Sequence, residues 1–384
     1  MNSRTLNFIA ACAGMLLFGV TLITLGAIAI DLANRFSLSE KESGELFSIL
    51  PIGIIAGSFI FGPVIDKYGY KAILITACLS MFAGFQGIAW SEEVSWLKWS
   101  IFFFGLGGGI INGSTNALVA DLSTTHKGAN LSILGIFFGL GALGMPLLLG
   151  LLQGKFSWEF IVSSVGWLTL AIALFYSFLS FPKGKTASQE TFPRKQLLSP
   201  LLLCIAFMLF FQSSLEAIIN NWTTLYLEKR NIMDEQSAKY ALSLHILGMV
   251  IMRLLMGTLF RNTAPLKLML WCILLIYTGV LLMESADSSI ATTGLFISGA
   301  GLAGGFPIML GVAGEKFPSI SGKAFSLIFV VSLVGNTLVN YMMGIVAEKY
   351  HISHLTTVSY IEASGMLILL GLIFFNIIKT YQNK

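Results

Sequence analysis

Five polar side chains share one helix face inside the apolar run of residues 200–227: Gln212, Ser213, Glu216, Asn220 and Thr223. Their spacings of three and four place them on the same side of a helix. A carboxylate flanked by amides can bind hydroxyl groups, and a carboxyl group shielded from water can carry a proton. Gln212, Glu216 and Asn220 are therefore candidates for substrate binding, and Glu216 also for ion coupling. The alternative for Glu216 is structural, as an ion pair with Arg253 or a bond to a neighbouring backbone.

Two asparagine pairs offer similar chemistry. Asn112 and Asn116 stand four residues apart in the run 98–120, and Asn336 and Asn340 stand four apart in the run 322–347. Each pair lies on one helix face, and an amide both donates and accepts hydrogen bonds. We expect these side chains to bind substrate hydroxyls, with hydrogen bonding between helices as the alternative.

Other candidates depend on depth in an apolar run. Asp31 ends the first run, where it either couples an ion or caps a helix in water. Trp222 stands near the outer end of its run, where it either stacks on a substrate ring or anchors the helix at the membrane surface. Arg253 is the one cation well inside a run. An unpaired arginine there is costly, so we expect it to be paired and to act in gating, with binding of an anionic substrate as the alternative. Glu362 is expected near the surface, at the start of the last run.

The composition identifies the elements that must position these residues. Hydrophobic residues make up 55% of the 384 residues and charged residues 11%, against about 25% charged in soluble domains, and the mean hydropathy is +0.82. These values exclude a soluble enzyme and a disordered chain, and the net charge of +4 is too small for a nucleic-acid binder. The four cysteines lie in apolar runs without close pairing, so neither a disulfide framework nor a metal site is expected.

Twelve apolar runs are long enough to cross a bilayer as helices, at about 20 residues each. They are residues 7–30, 43–65, 70–90, 98–120, 128–152, 158–181, 200–227, 238–260, 265–284, 288–314, 322–347 and 356–379. The polar segment 182–199 separates the first six from the last six. The predicted domains are therefore an N-terminal bundle of residues 1–181, a cytoplasmic central loop of residues 182–199 and a C-terminal bundle of residues 200–384.

The positive charges predict an orientation. Loops on the side that holds both termini carry 14 lysines and arginines, and loops on the other side carry 8. Because positively charged loops stay in the cytoplasm, both termini are predicted to be cytoplasmic. The first run is too long for the apolar part of a signal peptide. The short loops favour a multi-pass protein of a bacterial inner membrane.

The chain repeats itself at a distance of 195 residues. Arg35 aligns with Arg230 and Gly53 with Gly248. Glu40, Ser48 and Gly62 also meet identical residues in the same ungapped register. Two six-helix halves in parallel repeat are typical of one transporter architecture, in which the halves rock around a central site.

The segment Gly62-Pro-Val-Ile-Asp66-Lys67-Tyr-Gly69-Tyr-Lys71 resembles the loop motif GxxxD(R/K)xGx(R/K) of the major facilitator superfamily, between its second and third helices. The resemblance covers the whole chain in span count, central loop and repeat. It implies an all-α membrane protein of twelve helices in two six-helix bundles around one cavity. It also implies gating roles for Asp66, Lys67 and Lys71, and we expect Asp121, at the cytoplasmic end of the fourth run, to lock the inner gate.

A narrower resemblance is to the fucose-permease-like sugar symporters. Residues 105–119, GLGGGIINGSTNALV, are similar to the fourth helix of that group, and residues 216–227, EAIINNWTTLYL, to its seventh. Some of these symporters carry a carboxylate where Asn112 stands. That difference puts proton coupling through the fourth run in doubt and shifts it to Glu216 and Asp31.

We therefore predict a secondary active transporter that works by alternating access and is not an enzyme. Its expected cargo is a small polar solute, a sugar or sugar derivative, in symport with protons. The alternative is an exporter of drugs or other amphipathic compounds. No cofactor is expected beyond H⁺ or Na⁺ as coupling ion. The expected partners are the substrate and the lipid bilayer, with no nucleic acid, and the protein is expected to be a monomer.

Overall fold

The computed structural model describes residues 3–123, 127–182 and 197–382. These residues form helices joined by short turns, with no β-strand among them. The chain divides into two compact units, Met1–Gln189 (unit 1) and Glu190–Lys384 (unit 2). Most of the predicted central loop, residues 183–196, lies outside the described residues.

Among the described residues, unit 1 contains six helices, and unit 2 contains seven together with two short 3-10 turns. In unit 1 they are Ser3–Ala27, Ala29–Phe36, Glu40–Trp90, Val94–Leu122, Lys127–Leu152 and Trp158–Phe178. In unit 2 they are Pro200–Lys229, Glu235–Gly257, Pro265–Met283, Ser288–Leu302, Gly305–Lys316, Ser321–Tyr350 and Leu355–Gln382, with 3-10 turns at Pro318–Ile320 and Ile352–His354.

Twelve segments of these helices are long and apolar enough to span a membrane, and they are numbered here as spans 1 to 12. In unit 1 the spans are Arg4–Ala27, Glu40–Ile65, Lys67–Trp90, Val94–Leu122, Ile133–Leu152 and Trp158–Phe178. In unit 2 they are Pro200–Lys229, Glu235–Gly257, Pro265–Met283, Ser288–Lys316, Lys323–Tyr350 and Ile352–Asn376. The predicted fold of twelve membrane helices in two bundles is confirmed.

The packing inside each unit follows the same plan. Span 1 packs against spans 4 and 5, and span 7 packs against spans 10 and 11. Span 3 packs against span 6, and span 9 packs against span 12. Span 7 also packs closely against span 12, whereas the corresponding spans 1 and 6 touch over a much smaller region.

Close helix contacts repeat between the units and depend on glycine. A side chain on Gly105 would collide with the carbonyl oxygen of Leu50, and one on Gly299 would collide with that of His245. Three further contacts repeat. In unit 1 they are Gly53 with Phe102, Gly84 with Phe104 and Gly107 with Ala77, and their counterparts in unit 2 are Gly248 with Phe296, Gly279 with Ser298 and Gly301 with Cys272. The offset is 195 residues in the second and third spans of each unit and 194 in the fourth.

A repeated arginine holds the end of the third span in each unit. Arg35 donates from Nη1 to the carbonyl oxygen of Ala89 at 2.6 Å, and Arg230 donates from Nη2 to that of Glu284 at 3.2 Å. The two arginines are 195 residues apart, and so are the residues whose carbonyl oxygens they bind, Ala89 and Glu284. A guanidinium group satisfies carbonyls that a helix end leaves without partners, and its charge complements the helix dipole.

The caps of spans 2 and 8 also correspond. Ser39 forms a capping box with Glu42 at the start of span 2. Asp234, 195 residues later, accepts a hydrogen bond from the backbone N–H of Ser237 at 2.8 Å. Hydrogen bonds from Ser237 hold the pKa of the Asp234 carboxyl group below its usual range. The cap of span 8 therefore stabilises the helix above the pKa of Asp234 in the unfolded chain, and this contribution is lost as the pH falls through the folded value.

Two backbone irregularities interrupt the spans. Gly69 has φ of 78° near the start of span 3, a conformation that residues with a side chain rarely adopt. Span 10 is broken between Leu302 and Gly305, where its two helices end and begin. The residues at these two points belong to the candidate sites described next.

Candidate functional site

The predicted polar face of span 7 is largely enclosed in unit 2. Gln212 and Thr223 have no exposed surface, Ser213 and Asn220 are less than one-tenth exposed, and Glu216 is half-buried. Thr223 donates its hydroxyl hydrogen to the carbonyl oxygen of Ile219 at 2.6 Å, within the helix. Gln212 contacts span 10, and Glu216 interacts electrostatically with Arg253 of span 8.

Gln212 connects span 7 to the break in span 10. Its Nε2 donates to the carbonyl oxygen of Leu302 at 2.8 Å. Gly305 leaves the room that this side chain occupies, because a side chain at position 305 would collide with the Gln212 amide. The break frees a carbonyl group of the helix, and Gln212 supplies the hydrogen bond that the helix no longer makes.

Glu216 is the centre of a charged cluster between spans 7 and 8. Its carboxylate interacts electrostatically with the guanidinium group of Arg253, and the Gln212 amide lies within hydrogen-bonding reach of it. This attraction is of the kind anticipated from the sequence as the structural alternative, and a direct ion pair between Glu216 and Arg253 stays a prediction. Glu216 is half-buried, so this carboxyl group retains some accessible surface.

Three asparagines form a chain between spans 7 and 11. Asn340 donates from Nδ2 to the carbonyl oxygen and to Oδ1 of Asn336, at 2.9 and 3.0 Å. Asn221 donates from Nδ2 to Oδ1 of Asn340 at 3.2 Å. Asn336 and Asn340 are thus brought together within span 11, and Asn340 makes the contact between helices that was the alternative role of the pair.

Buried amide oxygens on span 7 lack protein donors. Oε1 of Gln212, Oδ1 of Asn220 and Oδ1 of Asn221 are buried, and no residue in the described ranges donates a hydrogen bond to them. Such acceptors are rare in folded proteins because each loses its hydrogen bond to water. All three suit a ligand that carries hydroxyl groups.

Trp222 and Tyr226 lie in the interior of unit 2. Neither has measurable exposure. The Tyr226 hydroxyl donates to the carbonyl oxygen of Met283 at 3.1 Å and accepts a hydrogen bond from Arg230. The alternative of an aromatic anchor at the membrane surface is therefore wrong for Trp222. Its role in substrate binding stays a prediction, and it requires a conformation in which the ring is exposed.

In unit 1, the Asn112 and Asn116 side chains hydrogen-bond to each other. Nδ2 of Asn116 donates to the carbonyl oxygen and to Oδ1 of Asn112, at 2.9 and 3.0 Å. Both residues are half-buried, and Asn116 also lies near the sulfur of Met15 on span 1, at 3.9 Å. The geometry within this pair is the same as in the pair Asn336 and Asn340.

The motif segment, residues 62–71, runs from the end of span 2 into the start of span 3 and contacts the end of span 4. Tyr70 is buried and donates its hydroxyl hydrogen to Oδ2 of Asp121 at 2.7 Å. Lys67 and Lys71 are exposed, and the Lys67 ammonium group lies 4.9 Å from the centre of the Tyr68 ring. Lys67, Lys71 and Asp121, for which gating roles are predicted, thus belong to one corner of unit 1.

Asp66 and Asp31 are two further predicted site residues, and both lie in helices of unit 1. Asp66 lies in the helix Glu40–Trp90, but its side chain is outside the described part of the structure. Asp31 does not end span 1, because that helix stops at Ala27. Asp31 lies instead, half-buried, in the first turn of the short helix Ala29–Phe36.

Sequence reasoning also placed Glu362 wrongly. It is not near the surface but 5% exposed, in the third turn of the helix Leu355–Gln382. Its Oε2 is in hydrogen-bond contact with the hydroxyl oxygen of Ser214 on span 7. Ser359 and Met366, which lie three and four residues from Glu362 on the same helix face, are buried, and this spacing was the signal that could have located it. Asn221 was also missed, because it lies off the helix face that includes Asn220.

The described residues contain no cluster of three or more His, Cys, Asp or Glu side chains that could hold a metal ion. The polar groups can instead form hydrogen bonds and exchange protons.

Comparison with protein families and curated proteins gives four results. The family model of the Major Facilitator Superfamily matches residues 8–340. The glucose/mannose transporter GlcP of Bacillus subtilis is 23% identical over 345 residues, which are 85% of this chain and 84% of GlcP. The 3-(3-hydroxy-phenyl)propionate transporter of Escherichia coli is 26% identical over 81% of this chain and 79% of its own. A TsgA homologue of Buchnera aphidicola is 26% identical, but the match spans only about half of each chain, 54%.

Among solved structures, that of a D-xylose-proton symporter superposes with a TM-score of 0.82. The superposition covers 96% of this chain and 97% of the symporter, at 16% sequence identity. This similarity extends over both units and concerns the fold.

Proposed function

The chain belongs to the Major Facilitator Superfamily of membrane transporters, and from this premise we propose that it imports a sugar or a related polyhydroxy solute together with protons. It is a transporter and not an enzyme. The multi-pass membrane location follows from its twelve spans. We further propose that it lies in a bacterial inner membrane as a monomer with both termini in the cytoplasm.

The observation that carries the choice of cargo is the set of buried amide oxygens on span 7. Gln212, Asn220 and Asn221 each offer an acceptor without a protein donor among the described residues. Sugar hydroxyls donate hydrogen bonds, so a bound sugar would satisfy acceptors of this kind on the face that it contacts, which holds Gln212 and Asn220, while Asn221 lies on another face. The amide pairs Asn112–Asn116 and Asn336–Asn340 add further donors and acceptors to the proposed binding residues. GlcP and the D-xylose-proton symporter, whose names state sugar cargo, agree with this choice.

Proton coupling is assigned to Glu216. As a carboxylate it attracts Arg253, and on protonation that attraction is lost. The neutral carboxyl group then offers both a donor and an acceptor to the substrate or to Gln212. Substrate binding and proton binding would therefore act on the same few groups. Asp31 is the second candidate for coupling, and Na⁺ is the alternative ion, since carboxylates and amides bind both.

Gating in unit 1 is assigned to the corner that joins Tyr70 to Asp121. The buried hydrogen bond between them fixes the end of span 4 to the segment after Gly69. We propose that this bond forms in one state of the transport cycle and breaks in the other. Lys67 and Lys71 are exposed and would bind lipid headgroups in both states.

The test is a thermal-shift screen of the purified protein, followed by uptake into liposomes. The panel contains glucose, mannose, xylose, 3-(3-hydroxyphenyl)propionate and hydrophobic cations, at two pH values and with or without Na⁺. A bound cargo raises the melting temperature by mass action. We expect a sugar to give the largest shift and to accumulate when an inward proton gradient is imposed, and a protonophore to abolish the accumulation.

Three outcomes would contradict the proposal. A shift confined to hydrophobic cations would support the export of amphipathic compounds, which the similar proteins named above do not favour. A shift confined to the aromatic acid would assign Arg253 to an anionic cargo. Accumulation driven by Na⁺ and not by protons would replace the coupling ion.

A further inference from the structure

Glu362 occupies a position on span 12 that would ordinarily be apolar. The buried stripe of this helix contains Ser359, Ala363, Met366 and Ile373, none of them more than 1% exposed. Glu362 lies within that stripe at 5% exposure. An ionisable group at this depth of a membrane span is costly to bury and is commonly functional.

No cation neutralises this carboxyl group among the described residues. Its hydrogen bond with Ser214 of span 7 is the interaction that the structure gives it. Spans 7, 9 and 11 and the turn Ile352–His354 pack against span 12. The titratable groups inside these spans and on span 12 are Cys204, Glu216, Tyr226, Cys272, Tyr277, Tyr341 and Tyr360, and none of them bonds to Glu362.

The charged groups on these helices are Glu216 and those near the helix ends. Glu228 and Lys229 end span 7, Lys267 begins span 9, and Lys323, Glu348 and Lys349 lie near the ends of span 11. The adjacent turn contributes His354. Glu216 is two residues from Ser214, so it points to the other side of span 7. Arg253, which attracts Glu216, lies on span 8.

The hydrogen bonds of Ser214 favour a neutral carboxyl group. A serine hydroxyl has one hydrogen to donate and two lone pairs that accept. The Ser214 oxygen lies 2.8 Å from the carbonyl oxygen of Phe210 and 3.0 Å from that of Phe211, and it also contacts the Glu362 carboxyl group. If Ser214 donates to a backbone carbonyl, its contact with Glu362 is satisfied only when the carboxyl group is the donor. A protonated Glu362 completes this arrangement, and an ionised one does not.

We propose that Glu362 is a second proton-binding site, in which the neutral acid donates its hydrogen to Ser214 and exchanges that proton during the transport cycle. Exchange requires spans 7 and 12 to separate enough for water to reach the carboxyl group. The proposal that Glu362 holds a proton rests on the geometry of unit 2 alone. Its use in the cycle rests on the proposed function.

Infrared spectroscopy tests the occupancy without any substrate. A neutral carboxylic acid has a carbonyl-stretch band separate from the bands of carboxylates and of the backbone. The spectra are recorded at pH 7 in a Glu216→Gln background, so that Glu216 does not contribute. We expect Glu362→Gln to remove a band of one neutral acid. Ser214→Ala keeps the acid but removes its acceptor, so the band should move to higher frequency.

Two results would overturn the occupancy. The first is a neutral-acid region that is unchanged by Glu362→Gln, and the second is the loss of a carboxylate band in its place. The melting temperature serves as a check on folding. Glutamine keeps a donor and the size of the neutral acid, so Glu362→Gln should unfold close to the parent protein.

The role in transport is tested by the ratio of proton flux to sugar flux in liposomes. We expect Glu362→Gln to lower this ratio by one proton per sugar, and Glu228→Gln, at the end of span 7, to leave it unchanged. An unchanged ratio in Glu362→Gln would contradict proton exchange during the cycle. A parent protein that moves no sugar would instead contradict the proposed function, and the infrared result would stand independently.

Discussion

At the scale of single residues, Glu216 and Glu362 lie on opposite sides of span 7 and have different surroundings. Glu216 faces a guanidinium group and an amide and retains accessible surface. Glu362 faces a serine hydroxyl and is nearly enclosed. The first can respond to the arrival of a substrate directly, and the second responds only to a movement of helices. Span 7 contacts both groups, so a movement of this helix would affect Glu216 and Glu362 together.

Replacement of Glu216 by Gln should uncouple transport from the proton gradient. Glutamine cannot release a proton and does not attract Arg253 as a carboxylate does. We expect sugar exchange across liposomes to continue, while accumulation driven by a pH gradient falls to the level seen without a gradient. Glu228→Gln, on the same helix, is the control and should behave as the parent protein. Full accumulation with unchanged pH dependence in Glu216→Gln would exclude Glu216 as the coupling site.

At the scale of elements, the break in span 10 depends on a fit between one glycine and one glutamine. The Gln212 amide occupies the space beside Gly305 and bonds to the carbonyl group that the break leaves free. The same amide lies within reach of Glu216. A change at Glu216 can thus be transmitted to the joint between the two helices of span 10.

The substitution Gly305→Ala tests this fit. The added methyl group displaces the Gln212 side chain, and overpacking of this kind costs about 1–3 kcal/mol. We expect a lower melting temperature and slower transport. Gly311→Ala, in the same helix, is the matched control, because nothing lies within 4 Å of a side chain at that position. Equal melting temperatures for the two variants would show that the contact at Gly305 does not constrain the joint.

The sequence predicted the elements well and their ends less well. The twelve runs, the repeat and the polar face of span 7 could be read from hydropathy and spacing, because burial in lipid imposes both. Asp31 was misplaced because the end of span 1 was set wrongly, since that helix stops at Ala27. The start of the last helix, Leu355, lies one residue from the predicted one, and Glu362 was misplaced because its burial depends on how span 12 packs against span 7. The pairing of Asn221 with Asn340 depends on how spans 7 and 11 pack, and no local spacing records that.

At the scale of the whole molecule, the distribution of positive charge predicts that both termini are cytoplasmic. The experiment uses a matched pair of positions on either side of span 9, Asn262 and Ala286, both exposed. We expect a membrane-impermeant maleimide to label Ala286→Cys in intact cells, and Asn262→Cys only after the cells are opened. Background labelling should be low, because the native cysteines are buried or half-buried. The reverse pattern would invert the topology.

The repeated glycine contacts also preserve a record of descent. The two units share few identical side chains, yet the same helix crossings are closed by glycine against backbone in both, at offsets of 194 or 195 residues. Drift after a gene duplication can exchange one apolar side chain for another, but it cannot add an atom where two backbones touch. The common origin of the two halves is therefore clearest at the repeated glycines. A search for remote kin of this protein should weight those glycines above the far more numerous apolar positions.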